Sequence, residues 1–207
     1  MSRMLIMTGP QGSGNHLFSK VFALHEDVYG WKTLLNTYWE GHHHEPFAKY
    51  WGKPHLLEQF DWTQSDYYVT SISCPFYTNG MPLVPDYQSF IEQVQEYCDV
   101  EIAIIGRDQN IVKSQQERVR GSATLDMALQ EYKFLTAEHD VHFLSQELLY
   151  MYKGDYLEQL SRQLDFPIAY YDPEVEEILK ADANEKYIKK VHEYWLDFEV
   201  HRAQRES

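Results

Sequence analysis

The 207 residues predict a single domain of the α/β class, in three layers, with a mostly parallel central sheet flanked by helices. Three observations carry that expectation. A short apolar run, Met4 to Thr8, stops at Gly9-Pro10-Gln11-Gly12-Ser13-Gly14 and is followed by Leu17, Val21 and Leu24 at helical spacing. Runs of strand-forming residues then alternate with helix-period segments, the pattern of parallel strands joined by crossovers. One of those runs, Val100 to Ile105, is apolar enough to lie mid-sheet with both faces covered. A chain of this length can close one sizeable core, and nothing in it calls for a second.

Each element follows from its local pattern. After the first strand and its helix, residues 29–64 break into aromatics, histidines and prolines with only short possible helices, and read as an excursion over the sheet edge that forms part of a substrate pocket. Asp66 to Ser73 is rich in β-branched and aromatic residues and ends before Cys74-Pro75, which predicts a strand. Phe90, Val94 and Tyr97 have helical spacing within Asp86 to Cys98, ahead of the strand Val100 to Ile105. Helices are expected over Gln109 to Arg120 and Thr124 to Glu138, then a strand over Val141 to Leu144 and a helix over Tyr152 to Leu164. Residues 184–205 carry Tyr187, Val191, Tyr194, Trp195 and Phe198 on one face and read as a closing helix.

Composition excludes some functions. Acids outnumber bases by 32 to 18, a formal net charge of -14, which argues against a nucleic-acid binder and requires any anion site to be a local one. Cys74 and Cys98 are the only cysteines and read as two reduced thiols in a cytoplasmic protein. Met4 to Met7 is too short for a signal-peptide core, and no stretch approaches the ~20 apolar residues of a membrane span, so no membrane partner is expected.

The glycine turn is the main functional signal. Glycines let successive backbone N–H groups converge, and the helix that follows adds partial positive charge at the same point, so strand, turn and helix together form a cup for an anion. Gly9-x-x-x-x-Gly14 matches the first half of the phosphate-binding P-loop, but Asn15 stands where that pattern has Lys and His16 where it has the Mg²⁺-binding hydroxyl. Without those groups an ordinary ATPase or kinase is disfavoured. The alternative is a glycine-rich turn with no ligand.

Pro10-Gln11-Gly12-Ser13-Gly14-Asn15-His16-Leu17 resembles the 5′-phosphosulfate loop of the sulfotransferases, P-loop enzymes that use 3′-phosphoadenosine 5′-phosphosulfate (PAPS) without Mg²⁺. A second segment, Arg107-Asp108 followed by Ser114 and Arg118, is similar to the family's 3′-phosphate motif, though one residue shorter and with Gln109 in place of a proline. Ser71-Ile72-Ser73-Cys74-Pro75 is similar to a strand end of the family that carries a histidine, and the stretch from Val141 to Pro167 to its last strand and helix. The resemblance implies that Gly12, Ser13, Gly14, Asn15 and His16 contact the 5′-phosphate and the sulfuryl group. It implies likewise that Arg107, Ser114 and Arg118 hold the 3′-phosphate. It further implies a co-substrate, PAPS, a small-molecule or glycan acceptor, and no metal. Read from the residues alone, Arg107 leaves the carboxyl end of a buried strand, where α/β folds bind ligands, and its planar fork suits a phosphate; pairing with a nearby acid is the competing view.

Sulfuryl transfer needs a general base and a cation for the leaving phosphate. Ser73 occupies the histidine's place and is too weak a base alone. His16 borders the loop and could serve as cation or donor, and Glu40, His42, His43, His44 and Glu45 form a cluster that could supply a base; a metal site or a solvated loop are the other readings of the histidines. Lys20, Lys113 and Arg118 are further sources of positive charge. Two other functions stay open, an inactive nucleotide-binding relative and a divergent P-loop kinase.

Overall fold

The computed structural model of the chain describes residues 2–30, 44–78 and 81–180. Its strands are β1 (Arg3–Pro10), β2 (Tyr67–Cys74), β3 (Phe76–Thr78), β4 (Met81–Leu83), β5 (Asp99–Gly106) and β6 (Val141–Ser145). Four of them form a wholly parallel sheet in the order β2-β1-β5-β6, while β3 and β4 make a small antiparallel hairpin. The fold is therefore α/β, with a parallel sheet flanked by helices.

The helices are α1 (Asn15–Phe22), α2 (Tyr87–Gln95), α3 (Gln109–Arg120), α4 (Leu125–Glu138), α5 (Gln146–Leu164) and α6 (Pro173–Lys180). Successive residues of a strand face opposite ways, so β1, covered on both faces, is apolar along Met4 to Met7. Leu5 and Met7 enter one core with α1, α5 and α6; Met4 and Ile6 enter the other with α2, α4 and the segment around Phe47 to Leu57. All four are fully buried. The unbroken run Met4-Leu5-Ile6-Met7 is thus the signature of a central strand.

The excursion expected over 29–64 sends Phe47, Tyr50, Trp51 and Leu57 of its described part into the core, while Ala48, Lys49, Trp51 and Gly52 line a cleft beside the glycine turn. Two short 3₁₀ helices, Ala48–Tyr50 and Pro54–Gln59, carry Tyr50 and Leu57 inward, and the Trp51 ring stacks on Phe90 at 3.8 Å. The indole N–H of Trp51 donates to Thr70 Oγ1 at 3.2 Å, fixing the segment against β2. Trp31, Tyr38, Trp39, Glu40, His42 and His43 lie outside the described residues, as does the closing helix expected over 184–205.

Local chemistry explains where element ends differ from expectation. The last long helix starts at Gln146 rather than Tyr152, because the Ser145 hydroxyl accepts from Leu148 N at 3.2 Å and caps it. The expected start lies beside an interruption at Lys153, whose φ is 45°. The hairpin β3-β4 and helix α6 have too few residues to show a period in sequence. No described helix is long and apolar enough to cross a membrane. Cys74 and Cys98 are buried free thiols.

Candidate functional site

Parallel register brings three strand ends to one rim of the sheet. Gly9 lies opposite Ser73, Pro10 opposite Cys74, and Thr8 opposite Ile104, three residues before Arg107. The glycine turn therefore rises between the end of β2 and the end of β5, with α1 leaving behind it. Gly9 is compulsory here, since a Cβ would lie 2.3 Å from Ser13 Oγ and 2.7 Å from the backbone oxygen of Ile105. Gly14 has φ 103°, a left-handed conformation that turns the chain into α1.

The turn's carbonyl groups are all engaged by the protein from Gly9 to Gly12. Asn15 Nδ2 donates to Gly9 O at 2.9 Å, Ser13 N to Pro10 O at 3.0 Å, Gln116 Nε2 to Gln11 O at 2.9 Å, and Arg107 Nη1 to Gly12 O at 2.8 Å. A peptide whose C=O is fixed on one side directs any N–H it has to the other. Of these four peptides, Gly9-Pro10 has no N–H and the N–H of Gly12-Ser13 is turned inward to Pro10 O, so the fixed carbonyls leave the N–H groups of Gln11 and Gly12 as the turn's amide edge for an anion. The first intrahelical bond of α1 runs from Phe18 N to Gly14 O at 3.0 Å, so the preceding amides project from the helix end. With glycine at the N-cap, no side chain caps that end.

Asn15 occupies the place of the P-loop lysine and has a different task. Its amide spans Gly9 O and Ser73 Oγ, both at 2.9 Å, tying the loop to the end of β2. Ser13 is fully buried, with its hydroxyl 3.5 Å from Asn15 Oδ1. Arg107 is half-buried and also donates to Gln115 Oε1 at 3.0 Å.

The remaining expected residues lie at differing distances from the loop. Ser114 and Arg118 are exposed, and their neighbours Gln115 and Gln116 bond to Arg107 and to Gln11 O of the loop. Asp108 caps α3 through Asn110 N and Ile111 N; at about 100° per residue positions 114 and 118 fall opposite 112 and 116, while Arg118 lies one turn from Gln115, which meets Arg107. His44 lines a cleft at the amino end of β2, with Asp27, Tyr29 and Tyr67, rather than the loop. Lys20, at the last turn of α1, has its charged form disfavoured by burial, partly offset by Glu174. Lys113 is exposed. His16 sits half-buried in the first turn of α1, beside the loop.

Glu45, from the same cluster as His44, goes the other way. It is 6% exposed and wedged between α1 and β2. Its Oε1 accepts from Ser19 Oγ at 2.8 Å and Ser71 Oγ at 2.7 Å, and Oε2 from Ser71 N at 3.3 Å. Burial pushes its carboxyl up to about 7, against the pull of those hydrogen bonds. Its one signal in sequence is an acid directly before Pro46-Phe47; nothing local names its partners. Gln11, Gln115 and Gln116 gave no signal either, since glutamines have no characteristic spacing. The chain matches no protein-family model and no curated protein sequence.

Proposed function

We propose that the chain is a PAPS-dependent sulfotransferase of the three-layer P-loop type, with the Gly9 to Asn15 turn as its phosphosulfate site. One observation carries the reading: the carbonyl oxygens from Gly9 to Gly12 are held by the protein, which fixes the turn at the mouth of α1, where the N–H groups of Gln11 and Gly12 and the helix end that no side chain caps suit an anion. A sulfate donor fits better than Mg²⁺ATP because the position of the P-loop lysine holds Asn15, whose amide is spent on Gly9 and Ser73. Arg107, on the neighbouring strand end, supplies a guanidinium beside the turn, suited to the donor's second phosphate.

A second reading is a protein that binds the nucleotide without turning it over. It is favoured by the engagement of Arg107 with Gly12 O and Gln115, and of Ser73 with Asn15, which are structural tasks for residues at reacting positions. A kinase requires a lid residue to supply the cation that the loop lysine would provide.

Thermal denaturation with adenosine 3′,5′-bisphosphate, and separately with Mg²⁺ATP, tests the assignment. A ligand at 100 times its Kd adds about 2.7 kcal/mol, on the order of 5–10 °C in Tm for a chain of this size. A rise with the bisphosphate and none with Mg²⁺ATP is expected. A rise with Mg²⁺ATP alone would refute the sulfate-donor reading.

A further inference from the structure

Beside the glycine turn, a cleft of about 370 Å³ runs along the edge of β2, lined by Gln11, Lys49, Trp51, Ser71, Ser73 and Tyr77 among others. That volume lies within the range of small-molecule sites, with aromatic walls for the faces of a ring. Gln11 is 6% exposed, and its Oε1 is buried with no hydrogen-bond partner among the described residues. It is an acceptor that awaits a donor from the cleft. Ser73 Oγ already accepts from Asn15, which leaves its proton to be donated.

Ser71 complements this pattern. Its hydroxyl proton is committed to Glu45 Oε1 at 2.7 Å, so its oxygen lone pairs remain to receive an O–H from the cleft. Glu45 itself is not a lining residue; it lies behind Ser71, held by Ser19 Oγ and Ser71 N as well.

Resting on the reading of the turn as the phosphosulfate site, we infer that Ser71 and Glu45 together form the base of the transfer, and that the cleft takes a small hydroxyl acceptor positioned by Gln11. The acceptor hydroxyl passes its proton to Ser71 Oγ as Ser71 passes its own to Glu45 Oε1. The acceptor oxygen forms a bond to sulfur, and the bond from sulfur to the 5′-phosphate oxygen breaks, its electron pair leaving with adenosine 3′,5′-bisphosphate. The products are a sulfate ester, the bisphosphate and a protonated Glu45, which returns its proton to solvent once they depart. No atom changes oxidation state. Ser71 is the catalytic residue of the pair, and Glu45 acts through it.

The surroundings of Glu45 suit a proton exchanged near neutrality. Hydroxyls and one amide meet it, from Ser19 on α1 and Ser71 on β2, and burial raises its carboxyl to about 7 without a charged group among the causes. Of the ionisable neighbours on its own elements, Lys20 is drawn to Glu174, His44 faces the cleft at the amino end of β2, and Lys49 lines the acceptor cleft with its Nζ over the Tyr50 ring at 4.7 Å.

The test uses the full chain with Glu45→Gln, Glu45→Asp and Ser71→Ala. Each is melted with adenosine 3′,5′-bisphosphate and then assayed for transfer of labelled sulfate from PAPS to a panel of phenols and monosaccharides across pH. All variants should keep the bisphosphate shift. Glu45→Gln and Ser71→Ala should lower kcat by about 100-fold or more with KM for PAPS unchanged, and the acid limb of the rate profile near neutral pH should vanish in Glu45→Gln. Glu45→Asp, which keeps a carboxylate, should recover part of the rate. Wild-type rate and profile in Glu45→Gln would overturn the inference, as would a wild-type protein that binds the bisphosphate and sulfates none of the panel. No bisphosphate shift in the wild type would instead overturn the donor site on which the inference rests.

Discussion

Replacing Glu45 with Gln should change how stability depends on pH, whatever the protein catalyses. Folding raises this carboxyl from 4.5 to about 7, chiefly through burial. Between those values the folded chain keeps a proton that the unfolded chain has released, so the folded state binds more protons and stability must fall as pH rises through the window. Above it the loss is complete. A shift of this size corresponds to about 3 kcal/mol in total, of which roughly 2–3 kcal/mol falls between pH 5 and pH 8. Gln cannot ionise, so the variant lacks this slope. Its amide oxygen can still accept from the Ser19 and Ser71 hydroxyls, but its NH₂ group meets the N–H of Ser71, a pH-independent cost of about 1–3 kcal/mol. The measurement is Tm of both proteins across that pH range. Their difference cancels the other ionisable groups and should move in favour of the variant by on the order of 5–10 °C from the acid to the alkaline end. Curves that stay parallel would show that Glu45 titrates alike in both states, and the argument from its burial would fail.

Further expectations concern the loop and the core. Arg107→Ala removes the donor to Gly12 O and Gln115 Oε1, and should weaken the bisphosphate by at least about tenfold, since charged hydrogen bonds contribute about 1.5–3 kcal/mol; an unchanged melting shift would misplace the phosphate. Gly9→Ala should destabilise more than Gly14→Ala in urea, because the new Cβ at position 9 meets backbone at 2.7 Å, whereas at position 14 it meets the movable Gln146 side chain at 3.2 Å. Gly14→Ala still carries the strain of φ 103°, about 1–2 kcal/mol. Cys74 and Cys98 are buried and their thiols pushed up to about 12, so neither should react with a thiol reagent at neutral pH until the chain is unfolded, when both should react; rapid labelling of the native protein would contradict that burial.

Much of the architecture is local and could be read along the chain. The continuous run Met4 to Met7 marks a strand covered on both faces, the glycines mark the turn, and Asp108 before Gln109 marks a helix start, because each is a relation between residues a few positions apart. The spacing of Ser114 and Arg118 was also legible; which way they face was not, since that depends on how α3 packs against the loop. Asn15 is a departure from a motif in sequence and a tie between Gly9 and Ser73 in space, a role set by the register of β1 and β2.

Glu45 shows the division most clearly. Its two hydroxyl partners, Ser19 and Ser71, are each 26 residues away, on opposite sides of it in the chain and in different elements. Sequence by itself determined that strand, glycine turn and helix would form, because backbone preference and hydrophobic period act over a few residues. Only tertiary structure decided which polar groups converge at the rim and behind it. The burial that perturbs a carboxyl, and the carbonyl bonds that aim the loop, exist only once distant segments pack against one another.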